Sequence, residues 1–318
     1  MKKILFLATG GTIACGRTSE GLTPDISSDE LLARIPSVLG KCAVTARQPF
    51  SLDSTNMSPR EWTKLAEIIR LSYDEFDGFV VAHGTDTMAY AAAALSCLIQ
   101  NSRKPVILTG SQRPMSDMES DAPRNLRDAF LCASDARLRG VCVVFCGRII
   151  SGRCAVKADT NEYDAFRSVN CEDVGGVSTD GEITVRCAEY VGKPVFYDRM
   201  DARISVAKLI PGVPLSVCED GARAVIIEGF GTGGFPDYGN AETAREVSRL
   251  AAEGIYVIMT TQVMSGGTAL SRYKVGSGVR GVLEAGKMTR EMCAMKTMWA
   301  LAYSDSRSKF EELFKRQI

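Results

Sequence analysis

The chain has 318 residues, 38 basic against 38 acidic side chains, 45% hydrophobic and 24% charged residues, 11 cysteines and one histidine. That length predicts two domains, each able to bury a core, and the composition is neither disordered nor fibrous. Zero formal net charge leaves no electrostatic footprint for nucleic acid, and a single histidine excludes a His-rich zinc site and forces any Ser-His-Asp triad onto His83.

In chain order, the apolar run at residues 4–8 imitates a signal peptide, and Thr12-Ile13-Ala14-Cys15 imitates a lipoprotein cleavage site. At five residues the run is shorter than the usual 7–15 and predicts a first buried strand. Further short apolar runs at 78–82, 105–108, 141–145, 224–227 and 255–259 predict strands covered on both faces of a parallel sheet. Between them lie helical patterns with readable starts. Ser27-Ser28-Asp29-Glu30 and Ser58-Pro59-Arg60-Glu61 fit the capping box, the second with proline at the first helical position. Asp121-Ala122-Pro123 opens another helix, and Asn240 is placed to cap residues 241–253, which stop at Gly254. Such alternation implies a doubly wound α/β sheet. The pattern weakens between about 175 and 217. The expected organisation is a larger N-terminal α/β domain with a mostly parallel sheet (1–190), a linker (191–212) and a smaller C-terminal α/β domain (213–318).

No CxxC occurs and several cysteines sit in apolar runs such as Val141-Cys142-Val143-Val144-Phe145-Cys146. The expectation is buried free thiols in a reducing compartment. With no run near the roughly 18 apolar residues of a membrane span, the chain is expected to be cytoplasmic, without membrane partners.

Ligands of open α/β sheets bind in the loops beyond the carboxyl ends of the strands. Three such loops pair hydroxyls with glycine: Thr9-Gly10-Gly11-Thr12, His83-Gly84-Thr85-Asp86-Thr87 and Thr109-Gly110-Ser111-Gln112. A fourth segment, Asp53-Ser54-Thr55-Asn56, lacks the glycine. Each alone has a plain reading as a strand-ending turn or a helix cap, and His83 reads as a structural histidine. GxxxxGK[ST] and GxGxxG are both absent, so no nucleotide fingerprint is present. Together the loops suggest a hydroxyl nucleophile, which needs an adjacent base. With one histidine, that base is a lysine, aspartate or tyrosine.

Thr9-Gly10-Gly11-Thr12-Ile13-Ala14 and His83-Gly84-Thr85-Asp86-Thr87-Met88 resemble the two signatures of the bacterial-type L-asparaginase (asparaginase/glutaminase) family. The likeness continues through Asp53-Ser54-Thr55, Thr109-Gly110-Ser111-Gln112, Val156-Lys157, Asp164-Ala165-Phe166, Phe230-Gly231-Thr232-Gly233-Gly234-Phe235-Pro236 and Lys287-Met288-Thr289, and so spans nearly the whole chain. It implies hydrolysis of L-asparagine to L-aspartate and ammonia through a threonine acyl-enzyme. Thr12 would be the nucleophile, with Thr85, Asp86 and Lys157 as the second catalytic group. Asp86 would bind the α-ammonium and Ser54 the α-carboxylate. Thr55 would stand beside Ser54, and a backbone carbonyl at Ser111 would receive the side-chain amide. Glycine-loop N–H groups would stabilise the oxyanion. The resemblance implies no metal or organic cofactor, a small-molecule substrate, and a homodimer or homotetramer whose neighbouring subunit completes the site. One departure stands out: the segment after the nucleophile carries no tyrosine, and Glu20-Gly21-Leu22-Thr23-Pro24 stands in its place.

Other readings on the same scaffold are a dual asparaginase/glutaminase, an ammonia-supplying component of a tRNA-linked amidotransferase, and a non-catalytic amino-acid sensor. Thr12 lying 11 residues after Met1 and the balanced charge weigh against the second. Retention of Thr85 with Lys157 weighs against the third.

Overall fold

The computed structural model describes residues 1–18, 21–24, 26–186, 192–218, 220–236, 241–272 and 281–318. The chain forms two compact units, Met1–Asp198 together with Ile318, and Arg199–Gln317.

The first unit is built on eight strands: β1 (Lys2–Ala8), β2 (Cys42–Arg47), β3 (Gly78–Ala82), β4 (Pro105–Thr109), β5 (Gly140–Phe145), β6 (Arg148–Ser151), β7 (Gly175–Val177) and β8 (Ile183–Val185). Their spatial order is β8-β7-β6-β5-β4-β3-β1-β2. The five strands from β2 to β5 are mutually parallel and the last three pairings are antiparallel. In register, Ile4 stands between Val44 and Gly78, and Ala8 stands opposite Ala82. Every residue of β3 and β4 is buried, which explains why both read as continuous apolar runs rather than as alternation. Ile4, Phe6, Ala8, Val80, Ala82 and Ile107 share one core with Leu126, Ala129 and Phe130 of helix α3 (Ala122–Ser134). Helix α1 is Pro59–Leu71, and helix α2 (Met88–Leu98) is buried everywhere except at Tyr90. Both capping boxes form, Ser27 with Glu30 and Ser58 with Glu61.

The second unit carries four parallel strands in sequence order: β9 (Ile204–Lys208), β10 (Ala224–Gly229), β11 (Tyr256–Thr261) and β12 (Val282–Glu284). Val225, Ile227, Val257 and Met259 pack on Val247 and Leu250 of helix α4 (Glu242–Ala252). Helices α5 (Arg290–Ala302) and α6 (Arg307–Lys315) follow. The fold is therefore a two-domain α/β architecture with a larger, mostly parallel N-terminal sheet.

Several features differ from the sequence reading. Strand β9 lies inside the stretch expected as a linker at 191–212. Its half-exposed sequence gives no continuous apolar signal, and it forms by pairing with β10 from Ile204↔Ala224 to Lys208↔Glu228. Strand β2 escapes the same reading because it is an edge strand with alternating burial. Cys154 and Cys171 are joined as a disulfide, against the expectation of free thiols. The short antiparallel pair Ala155–Lys157 and Phe166–Ser168 lies between them in sequence and brings the two cysteines into reach. Among the other described cysteines, 42, 132, 142 and 293 are free thiols and buried, and Cys97 is buried as well. Asn240 lies outside the described residues, and helix α4 begins after Ala241 in a left-handed conformation.

Candidate active site

Strand order defines where a ligand can sit. From β1 the chain moves to one side to make β2, then returns to the other side of β1 to make β3. The loops after β1 and β3 therefore diverge at a topological switch point, where the sheet leaves a crevice beyond the carboxyl ends of its strands. The first two glycine–hydroxyl loops sit there.

These loops make backbone contact. Gly10 and Gly11 have φ of 101° and 77°, values that side-chain-bearing residues adopt only with strain. A Cβ on Gly11 would lie 2.2 Å from the Gly84 Cα, and one on Gly84 would lie 2.6 Å from both Cβ and Oγ of Ser54. Gly11 donates its N–H to the Leu52 carbonyl at 3.0 Å, and Thr9 donates to the Ala82 carbonyl at 3.0 Å. The Thr87 hydroxyl donates to the Ser54 carbonyl at 2.7 Å. A Cβ on Gly110 would stand 2.3 Å from the His83 carbonyl oxygen and 3.5 Å from Thr85 Cγ2. All four segments singled out in the sequence thus converge.

Side chains complete the cluster. Lys157, at the end of strand Ala155–Lys157, donates to Thr85 Oγ1 at 2.9 Å and to Asp86 Oδ1 at 2.7 Å. Thr85 is buried, whereas the Asp86 side chain is 60% exposed against 16% for Lys157. The ion pair is therefore screened on its carboxylate side, and Asp86 retains an oxygen facing outward. Asp86 does not cap α2: the N-cap residue is Thr87, with no side-chain capping bond. Ser54 is buried under Gly84. Thr55 is exposed, and its hydroxyl donates to Asp53 Oδ1 at 2.9 Å within its own turn. Ser111 is buried and donates its hydroxyl to the Arg113 carbonyl at 2.6 Å, so its side chain is committed within its own loop. Thr12 opens the 3-10 turn Thr12–Ala14, one residue beyond the Gly11–Gly84 contact. After it the chain forms a hairpin, Cys15–Thr18 paired with Gly21–Pro24, with Arg17 opposite Leu22.

One expectation about oxyanion donors changes. The Gly11 N–H is committed to Leu52, whereas no described residue accepts from the N–H of Thr12 or Thr85. His83 is fully buried, and its Nδ1–H donates to the Gly84 carbonyl at 2.8 Å, which fixes the tautomer. Burial pulls its pKa down to about 4, so the ring is neutral at physiological pH and serves as structure, as read from the sequence. Sequence reasoning missed Asn125 and the destination of Asp121, which braces residues 112–113 instead of capping α3. Among the described residues no three His, Cys, Asp or Glu side chains group to hold a metal. No helix there is long and apolar enough to cross a membrane.

A hydroxyl–lysine–carboxylate cluster thus lies at the switch point of a large, mostly parallel sheet, in a chain that also builds a small parallel domain. Residues 3–189 match the family profile "Asparaginase, N-terminal" and residues 203–314 match "Glutaminase/Asparaginase C-terminal domain". The chain belongs to the asparaginase family. It is 37% identical to L-asparaginase of Thermococcus kodakarensis, over 99% of this chain and 98% of that one. It is also 31% identical to a component of the glutamyl-tRNA(Gln) amidotransferase of Methanopyrus kandleri, over all of this chain but 74% of that one. The solved structure of the thermostable L-asparaginase from Thermococcus kodakarensis superposes with a TM-score of 0.89 at 35% identity, covering 99% of this chain and 97% of that chain.

Proposed function

We propose that the chain is an L-asparagine amidohydrolase working through an acyl-threonine intermediate. The observation that carries this reading is the Lys157 amine bridging Thr85 Oγ1 and Asp86 Oδ1 beside the junction that presents Thr12. Thr12 Oγ attacks the side-chain amide carbon, and the N–H groups of Thr12 and Thr85 receive the developing oxyanion. The proton that Thr12 gives up passes through the Thr85–Lys157 cluster to the amide nitrogen, so that the C–N bond breaks and ammonia leaves. Water then attacks the threonine ester. Thr85 takes the water proton and passes it to the Lys157 amine; as the ester C–O bond breaks that proton is returned to Thr12 Oγ, and L-aspartate is released. The outward oxygen of Asp86 binds the α-ammonium and Ser54 the α-carboxylate. Thr55 joins only by exchanging its bond to Asp53. The Ser111 carbonyl accepts from the side-chain amide. The chemistry calls on no cofactor or metal. By the same resemblance the working assembly is a homodimer or homotetramer in the cytoplasm.

Ammonia release measured in parallel from L-asparagine and L-glutamine tests the reading, with Thr12→Ala as control. We expect release from L-asparagine that Thr12→Ala abolishes. Release at the buffer rate from both amides would sink it. The glutamine arm fixes the preference, a pocket difference of about one methylene and about 1–3 kcal/mol.

A further inference from the structure

The loop after β4 is held from behind by two residues at the start of α3. Asn125 is 1% exposed and uses every polar atom of its carboxamide. Its Nδ2 donates to the Gly110 carbonyl at 3.0 Å and to Asp121 Oδ2 at 3.0 Å, and its Oδ1 accepts the Cys146 N–H at 2.9 Å. The Asp121 carboxylate in turn accepts the N–H of Gln112 at 3.1 and 3.0 Å and the N–H of Arg113 at 3.0 Å. Ser111 stands between these fixed points with its hydroxyl tied to Arg113, while its own carbonyl accepts from no described residue. A buried carbonyl left without a donor is unfavourable unless a ligand supplies one.

We infer that Asn125, supported by Asp121, is a positioning residue that aims the Ser111 carbonyl at the N–H2 of a substrate carboxamide. The inference deepens the amidohydrolase reading above and rests on it. Only a carboxamide satisfies this position, because two acceptors and one donor surround it. Aspartate there would set lone pairs against Gly110 and Asp121, and leucine would strand all three partners. The arrangement favours a leaving group that carries N–H over one that does not. The side-chain amide of L-asparagine has two such hydrogens, and the β-methyl ester of L-aspartate has none.

The experiment compares wild type, Asn125→Asp and Asp121→Asn on both substrates. It follows ammonia from L-asparagine, and methanol with L-aspartate from the ester, which consumes one water. It reads kcat/KM, which covers only the steps through acylation. For Asn125→Asp we expect a fall of about 100-fold on the amide and less than about 5-fold on the ester, consistent with the loss of one hydrogen bond to a positioned group. Asp121→Asn should shift the amide-to-ester ratio in the same direction by a smaller factor. It retains the apolar packing of α3, and so serves if Asn125→Asp does not fold. An equal fall on both substrates, or none on the amide, would overturn the inference, since a merely structural role lowers both together. A wild type inert toward L-asparagine would instead overturn the amidohydrolase reading.

Discussion

The loop after β1 and the loop after β3 meet at the backbone, yet they are held by different means. The first is placed chiefly by main chain: Gly10 and Gly11 in left-handed conformations, and N–H bonds of Thr9 and Gly11 to Ala82 and Leu52, with the Thr9 hydroxyl adding one bond to Ala82 at 2.9 Å. The second is placed by side chains, with Thr85 buried and bonded to Lys157, Asp86 paired to the same amine, and His83 sealed beneath. The contrast fits the division of labour in the proposed mechanism. A nucleophile must approach a carbon and then leave it, and a backbone-rooted turn permits that. A proton relay works only at fixed hydrogen-bond lengths, and a packed side-chain cluster supplies them.

Substitutions can break that contrast. Thr12→Ala should lower ammonia release by at least about 10⁴-fold, and Lys157→Met by about 10²–10⁴-fold, with unchanged far-UV circular dichroism in both. Full activity in either would end the assignment of labour. Gly11→Ala attacks the shared root. Its Cβ would fall 2.2 Å from the Gly84 Cα at a φ of 77°, so a loss of about 2–5 kcal/mol is expected in urea unfolding. A neutral result would mean that the two loops are not in contact.

His83 sharpens the contrast through pH. Its pKa is held near 4, below the unfolded value near 6.5, because burial disfavours the charged ring. Its contribution to stability is therefore complete above about pH 6.5 and is lost as pH falls toward 4, by at most about 3 kcal/mol. Burial raises the carboxyl pKa values of Asp128 and Glu291, which act in the opposite sense, so the measurement must be differential. The drop in Tm between pH 7 and pH 5 should be smaller in His83→Gln than in wild type, and equal drops would show that the ring titrates freely. The smallest effect belongs to the first loop. Leu22→Tyr, opposite Arg17 in the hairpin after Thr12, should change the single-turnover acylation rate a few-fold, about 1 kcal/mol or less. No change would mean that the hairpin does not reach the chemistry.

The parallel strands of the first sheet were legible because burial on both faces leaves an unbroken apolar run, as in Gly78–Ala82. Strand β9 was not, because its pairing with β10 rather than its own hydrophobicity makes it a strand. In the site, Thr12, Thr85, Asp86 and Lys157 were legible as motif positions, and the last three are joined by hydrogen bonds that no spacing rule predicts across about 70 residues. Asn125 was invisible, since an asparagine inside a helix ordinarily announces nothing. Asp121 was visible but misdirected: the sequence before Pro123 reads as a cap, and the competing N–H groups that claim its carboxylate come from a loop eight and nine residues earlier.

Strand β1 lies between β2 and β3, and both partners arrive much later in the chain: Lys2 pairs with Cys42, and Ile4 with Gly78. Such contacts close long loops before they return any stabilisation, so they form slowly. The Gly11–Gly84 junction exists only once β1 and β3 have paired. Catalytic competence should therefore arrive as a late event of refolding, after the helical signal has recovered. In the proposed mechanism, a nascent chain that has made Thr12 but not yet β3 would carry a nucleophile with nothing to work against, and so would stay inactive until the two strands pair.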